Sequence, residues 1–151
     1  KRLVPSYEAP KYITWAEVNR SDLIRIPSFK VGREASRRIE YRAPDPACNP
    51  YLAFSVLLSA GMAGIENKYE LPSLIEQNAQ NMSVEERASH GIESLPGNLW
   101  EAIQITQDSE LVRSALGDKV FENFIENKKI EWDKYSTQVS QYELDTYLST
   151  L

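Results

Sequence analysis

Hydrophobic and polar positions follow two different periods along this chain. Residues 11–18 and 23–27 are rich in β-branched and aromatic residues and are separated by the polar turn 19–22. This pattern is typical of a hairpin or of two adjacent strands. Residues 37–42 alternate between charged and apolar side chains and predict a further strand, with Ile39 and Tyr41 on one face. We therefore expect strands and loops over the first third of the chain.

The pattern changes to helical spacing after Asn49-Pro50. Proline is favoured at the first position of a helix, where its missing N–H costs nothing, so these two residues predict a helix start. Residues 66–82 are polar and irregular and predict a surface excursion. The apolar positions expected to pack this first helix into the core are Leu52, Val56, Leu57 and Ala60.

The remainder of the chain predicts several helices. Capping boxes at 83–86 and 140–143 predict two helix starts, and Asp108 is predicted to cap a helix over 109–116. A long helix is predicted over 118–135. An apolar stripe at helical spacing marks the packed face of the long helix: Val120, Phe121, Phe124, Ile125, Trp132 and Tyr135. The predicted fold class is thus α+β, with strands and loops over 1–48 and mainly helices over 49–151.

The amino-acid composition argues against two classes of protein, nucleic-acid-binding and membrane-spanning. The chain has 17 Lys+Arg against 22 Asp+Glu, a net charge of −5, which argues against general nucleic-acid binding. Its most apolar segment, 51–65, is too short and too glycine-interrupted to span a membrane. The single cysteine, Cys48, is expected to be a small buried side chain and suits a reducing cytosol. Because residue 1 is not methionine, we expect a piece of a longer protein.

The charged face of the strand 37–42 allows two readings. Arg38, Glu40 and Arg42 would stand in a row on one face. Such a row can be a solvated sheet face whose charges pair across strands, and spacing alone favours this reading. It can also bind polyanions, with the carboxylate holding a divalent metal and the guanidinium groups holding phosphate or carboxylate oxygens.

Three motifs together resemble one enzyme family. The strings KRLVPSYEAP, NRSDLIRIP and RIEYRAPDPACNPYLAF occur in the order and close to the spacing seen in the C-terminal part of the glutamine synthetase catalytic domain, in its bacterial and archaeal type I-like form. Similarity continues through GIENKYE and SLPGNLWEAI to the last residues. The resemblance implies that residues 1–151 belong to such a domain and that the strands come from a larger split barrel.

The resemblance also implies roles for seven residues. It implies catalytic roles for Glu8 and Arg20, substrate binding by Arg2 and Arg42, ATP binding by Arg25 and Arg38, and metal binding by Glu40. In the family, the segment around Glu8 is a flap that closes over the glutamate site. Planar guanidinium groups suit the charge that is spread over phosphoryl oxygens during transfer.

The function implied for the parent protein is ATP-dependent ligation of ammonia to the γ-carboxyl of glutamate through a γ-glutamyl phosphate. Its implied requirements are ATP and Mg²⁺ or Mn²⁺, and its implied assembly is a cytoplasmic homo-oligomer, a dodecamer in the family, without nucleic-acid or membrane partners. Two alternatives stay open: a γ-glutamyl ligase for another amine, and a non-catalytic assembly or regulatory domain. The chain alone is expected to be inactive, because the other metal ligands would lie outside it.

Overall fold

A computed structural model describes residues 9–148 and divides the chain into two compact units, Lys1–Pro96 and Gly97–Leu151. The first unit contains strands β1 (Trp15–Ala16), β2 (Ile24–Arg25) and β3 (Glu40–Tyr41), helices α1 (Pro50–Glu66) and α2 (Val84–Ser89), and two 3₁₀ turns, Glu34–Ser36 and Ala79–Asn81. The second unit contains α3 (Leu99–Gln107), α4 (Glu110–Leu116), α5 (Asp118–Ser136) and α6 (Gln141–Tyr147). The α+β class with a helical C-terminal half is confirmed.

The three strands form a small sheet in the order β1-β2-β3. Strands β2 and β3 are antiparallel, with Ile24 opposite Tyr41 and Arg25 opposite Glu40. Strands β1 and β2 are neighbours in the sheet, which confirms the prediction of two adjacent strands. They run parallel, so the alternative prediction of a hairpin is wrong. Parallel strands cannot be joined by a tight turn, because the connection must return the chain to the same end of the sheet.

The segment after α1 is irregular and mostly exposed, as predicted, and part of it packs against β1. The indole Nε1 of Trp15 donates to the carbonyl of Pro72 at 2.9 Å, and the N–H of Ile75 donates to the carbonyl of Trp15 at 3.2 Å. Ile75 and Ala79 are buried. The segment therefore lies along β1 and covers one side of it, a long-range contact that local polarity does not reveal.

Helix α1 begins where the sequence predicts. Asn49 caps it, with its side-chain oxygen accepting from the N–H groups of Tyr51 and Leu52, and Pro50 occupies the first position. The prediction that its apolar residues form core is wrong for the described structure: none of its 17 residues is buried, Leu52, Val56 and Leu57 are only partly buried, and Ala60 is exposed. A helix with apolar residues on several faces normally lies inside a larger fold.

The helical unit has its own core. Ile103 on α3 and Phe121 and Ile125 on α5 are buried together, and partly buried apolar side chains from α3, α4 and α5 pack around them. This confirms the predicted stripe at its centre, whereas Val120 and Tyr135 at its margins are about half exposed. Helical spacing predicts which face of α5 points inward, but it does not predict how much of that face the neighbouring helices cover.

The helix starts after residue 82 are mostly those predicted. The capping boxes at Ser83 and Ser140 are both present. The cap of α4 is Ser109 rather than Asp108, which instead closes the end of α3.

Cys48 is exposed, so its prediction as a buried residue is wrong. Within residues 9–148, no helix is long and apolar enough to cross a membrane.

Candidate active site

The antiparallel pairing of β2 with β3 brings charged residues from two motifs together. Arg25 and Glu40 are register partners, so their side chains emerge side by side on one face of the sheet. Arg42 lies two residues beyond Glu40, and its backbone N–H extends the ladder by donating to the carbonyl of Leu23 at 2.9 Å. The strand period therefore places two guanidinium groups around one carboxylate.

Both oxygens of Glu40 are engaged by these arginines. Arg25 Nη1 lies 3.0 Å from Oε2, and Arg42 Nε lies 3.3 Å from Oε1. The two guanidinium side chains are 25% and 18% exposed, whereas the Glu40 side chain is 42% exposed. These ion pairs are the cross-strand pairs expected for a solvated sheet face, the first of the two readings. They also place two cations around one partly exposed carboxylate.

A fourth charged residue, Asp22, lies two positions before β2 and is only 1% exposed. Burial raises the pKa of its carboxyl group, and Glu76 raises it further, while the neighbouring Thr14 side chain and the positive charge of Arg42 lower it. We refer to Asp22, Arg25, Glu40 and Arg42 as the charged cluster. Sequence reasoning missed Asp22, because an aspartate in the polar stretch 19–22 looks like an ordinary turn residue.

The other predicted site residues lie apart from these contacts or outside the described chain. Arg20 is exposed in the turn that Asn19 stabilises by accepting from the N–H of Ser21 at 3.0 Å. Arg38 is exposed, and its Nη1 lies 3.5 Å from the carbonyl of Ser36, at the limit of a hydrogen bond. Arg2 and Glu8 lie outside the described residues.

The structure thus gathers three of the seven predicted residues, Arg25, Glu40 and Arg42, into direct contact. Such an arrangement can bind an oxyanion, since two guanidinium groups present several N–H donors at a fixed spacing. Between residues 9 and 148, no group of three or more His, Cys, Asp or Glu side chains is placed to hold a metal ion.

Comparison with known proteins identifies relatives over nearly the whole chain. The family model described as "Glutamine synthetase, catalytic domain" matches residues 1–147. The chain is 49% identical over 148 residues to the glutamine synthetase of Staphylococcus aureus strain MW2 and 47% identical to that of Staphylococcus epidermidis. Each match covers 98% of this chain and 32% of the relative, so the chain spans about a third of the length of these proteins.

Solved structures share the fold. A structure titled "Apo GmaS without ligand" is 30% identical, with a TM-score of 0.71, and the match covers 92% of this chain and 30% of that one. A cryo-EM structure of Plasmodium falciparum glutamine synthetase has a TM-score of 0.73 at 20% identity, covering 97% of this chain and 36% of the other. At that identity the second comparison speaks for the fold alone.

Proposed function

Because the chain belongs to the glutamine synthetase catalytic-domain family, we propose that it forms part of an ATP-dependent ligase that joins ammonia to the γ-carboxyl of glutamate. The observation that carries this proposal is the pairing of Arg25 and Arg42 with Glu40 at one partly exposed position. Phosphoryl transfer to a carboxylate requires several cations around developing negative charge, and two of them converge here.

The ion pairs of Glu40 are easily exchanged. The Glu40 carboxylate is 42% exposed, so water partly screens its attraction to the arginines, and each pair is worth on the order of 1 kcal/mol. A phosphate or carboxylate oxygen of a substrate can therefore take the place of Glu40 on either guanidinium group. In this proposal Arg25 and Arg38 bind ATP phosphates, Arg42 binds glutamate or its phosphorylated form, and Arg20 steadies the transferred phosphoryl group.

Glu40 fits a role as one ligand of a divalent metal. Its carboxylate is 42% exposed, and Mg²⁺ sites in proteins commonly combine one or two carboxylates with substrate phosphates. A bound Mg²⁺ or Mn²⁺ would neutralise phosphate charge during the transfer. The chain's own contribution is to hold that carboxylate between two arginines, so that metal and phosphate ligands lie side by side.

The proposed reaction proceeds through two steps. The glutamate carboxylate attacks the terminal phosphorus of ATP, giving a γ-glutamyl phosphate and ADP; ammonia then attacks the acyl carbon and phosphate leaves. Glu8, on the segment outside the described residues, is proposed to accept the proton from ammonium and to close the site against water, which would hydrolyse the acyl phosphate. The γ-glutamyl ligase for another amine and the non-catalytic domain remain the alternative functions.

We propose that the complete enzyme is a cytoplasmic homo-oligomer, as the family's dodecamers suggest. A reducing compartment suits a chain whose single cysteine, Cys48, is exposed and free. We propose that the complete site needs residues outside this chain. The chain spans 32% of the length of its relatives, and strand β3 offers a single carboxylate, that of Glu40.

The test compares the full-length protein with the isolated 151-residue chain. We expect the full-length protein to form glutamine from glutamate, ammonium and ATP with Mg²⁺ or Mn²⁺, and to prefer ammonium when methylamine and polyamines compete. The isolated chain should release no phosphate and should show no micromolar binding of ATP and metal in calorimetric titration.

Each outcome separates the candidate functions. Product formed mainly from a competing amine would favour the other γ-glutamyl ligase. A full-length protein that binds neither ATP nor metal would favour a non-catalytic domain. Steady turnover by the isolated chain would contradict the proposal that the other metal ligands lie outside it.

A further inference from the structure

Helix α1 carries a row of large apolar side chains that the described chain leaves open to solvent. They follow one another at intervals of three or four positions, which places them on one face of the helix: Tyr51, Phe54, Leu58, Met62 and Ile65. Their exposed fractions are 84%, 70%, 70%, 45% and 72%. Single exposed apolar residues are normal on a protein surface, but a continuous row of them marks an interaction surface. We call this row the α1 stripe.

The other faces of α1 are apolar as well. Leu52, Val56 and Leu57 lie outside the α1 stripe and are partly buried. Helix α1 is thus hydrophobic all round, with one part of its surface partly covered and the α1 stripe open. Helices of this kind lie in the interior of a large protein or in a membrane. We therefore expect the α1 stripe to be covered in the complete protein.

The charges of α1 argue against a lipid surface as the cover. From Pro50 to Ile65 the helix has no charged residue, and the residue that ends it, Glu66, is acidic. A helix that lies on a membrane has a polar face rich in Lys and Arg, which attracts anionic lipids. Helix α1 has no such face, so a protein surface is the better match.

The length of the relatives indicates which protein surface is at hand. The chain spans 32% of the length of the glutamine synthetase of Staphylococcus aureus, so about two thirds of such a protein lies outside it. Contacts between separately folded subunits have a polar rim around their apolar centre. A helix without a charged residue from Pro50 to Ile65 is instead typical of the interior of one domain.

We propose that the α1 stripe is an intramolecular docking surface, covered by an apolar face of the same polypeptide that lies outside residues 1–151. The covering face should present aliphatic and aromatic side chains without a charge at its centre, because burying an unpaired charge against apolar side chains is costly. This inference goes beyond the proposed ligase activity and does not depend on it, since it uses only the exposure of α1 and the length of the relatives.

The test places the photoreactive residue benzoylphenylalanine at Leu58, in the middle of the α1 stripe, in the full-length protein. After irradiation, a denaturing gel separates crosslinks within one chain from crosslinks between two chains, and mass spectrometry identifies the linked peptide. We expect a crosslink within one chain to a peptide outside residues 1–151. A crosslink between chains, a linked peptide inside residues 1–151, or no defined crosslink would overturn the proposal.

The control for this experiment has the same photoreactive group at Glu126, an exposed charged position on α5. It should not capture the peptide that Leu58 captures. If both positions captured that peptide, the crosslink would not be specific to the α1 stripe, and the proposal would be overturned.

A matched pair of substitutions measures the same burial without crosslinking. Leu58→Ala should lower the melting temperature of the full-length protein by several degrees, because it would leave a cavity under the covering face. Leu71→Ala makes the same change at a leucine that is 74% exposed and lies outside α1, and it should leave the melting temperature nearly unchanged. Equal melting temperatures of the two variants would overturn the proposal. Neither measurement uses catalysis, so a full-length protein that forms no glutamine would refute the proposed function and leave this test intact.

Discussion

Glu40→Gln in the full-length enzyme is expected to lower turnover about 100-fold or more while leaving the melting temperature nearly unchanged. The substitution keeps the shape of the side chain but removes the charge that a divalent metal requires. Stability should change little, because the Glu40 carboxylate is 42% exposed and each of its ion pairs with Arg25 and Arg42 is worth on the order of 1 kcal/mol. Turnover, metal titration and thermal unfolding of the same preparation would measure the three effects.

The matched control is Glu34→Gln, which makes the same chemical change six residues earlier. Glu34 is exposed and accepts from the N–H of Gly32 at 3.0 Å, without contacting the charged cluster. Its variant should keep wild-type turnover and metal affinity. Wild-type turnover of Glu40→Gln at saturating metal would refute the metal-ligand role, and a large loss of stability without loss of turnover would leave only the structural reading of the charged strand.

Phe121→Ala is expected to lower the free energy of unfolding of the helical unit by about 3–5 kcal/mol, a typical cost for removing a buried aromatic ring. Phe121 is 1% exposed, contacts the core with Ile103 and Ile125, and has the guanidinium of Arg113 4.4 Å from its ring centroid. Since whole domains are stable by only about 5–15 kcal/mol, the unit should be largely unfolded at 37 °C. Urea unfolding followed by circular dichroism would measure the change.

The neighbouring residue provides the control for this prediction. Val120→Ala changes the adjacent position on α5, whose side chain is 43% exposed, and should cost less than about 1 kcal/mol. Both variants retain a good helix former, so helix propensity cannot account for the difference. Equal losses of stability in the two variants would show that α5 packs through a different face from the one described.

The elements that sequence could predict are those decided by neighbouring residues. The helix start at Asn49-Pro50 and the capping boxes at Ser83 and Ser140 need only side chains within three positions of one another. The buried face of α5 follows from helical spacing alone. The row of charges around Glu40 follows from the strand period, and the structure places Arg42 beside it.

The elements that sequence could not predict depend on distant partners. The parallel pairing of β1 with β2 is decided by how the chain returns between them and by the segment that covers β1. Asp22 stands in a polar stretch, and only the folded structure, in which it is 1% exposed, reveals that this carboxyl group is buried. The apolar residues of α1 are another such case, since none of them is buried. Helical spacing indicates which face of a helix is apolar, but it does not show whether the chain supplies a surface to cover that face.

The segment that lies along β1 has a consequence for the rate of folding. The hydrogen bonds that join Trp15 to Pro72 and the N–H of Glu17 to Glu76 close loops of 57 and 59 residues, whereas the core of the helical unit joins residues within the span 99–132. Closing a long loop costs chain entropy before any contact compensates for it, so proteins rich in such contacts fold slowly. The helical unit should therefore order first and the sheet later. Stopped-flow fluorescence of variants that retain only Trp15 or only Trp132 would show two rates, and identical rates would mean that the two units fold as one.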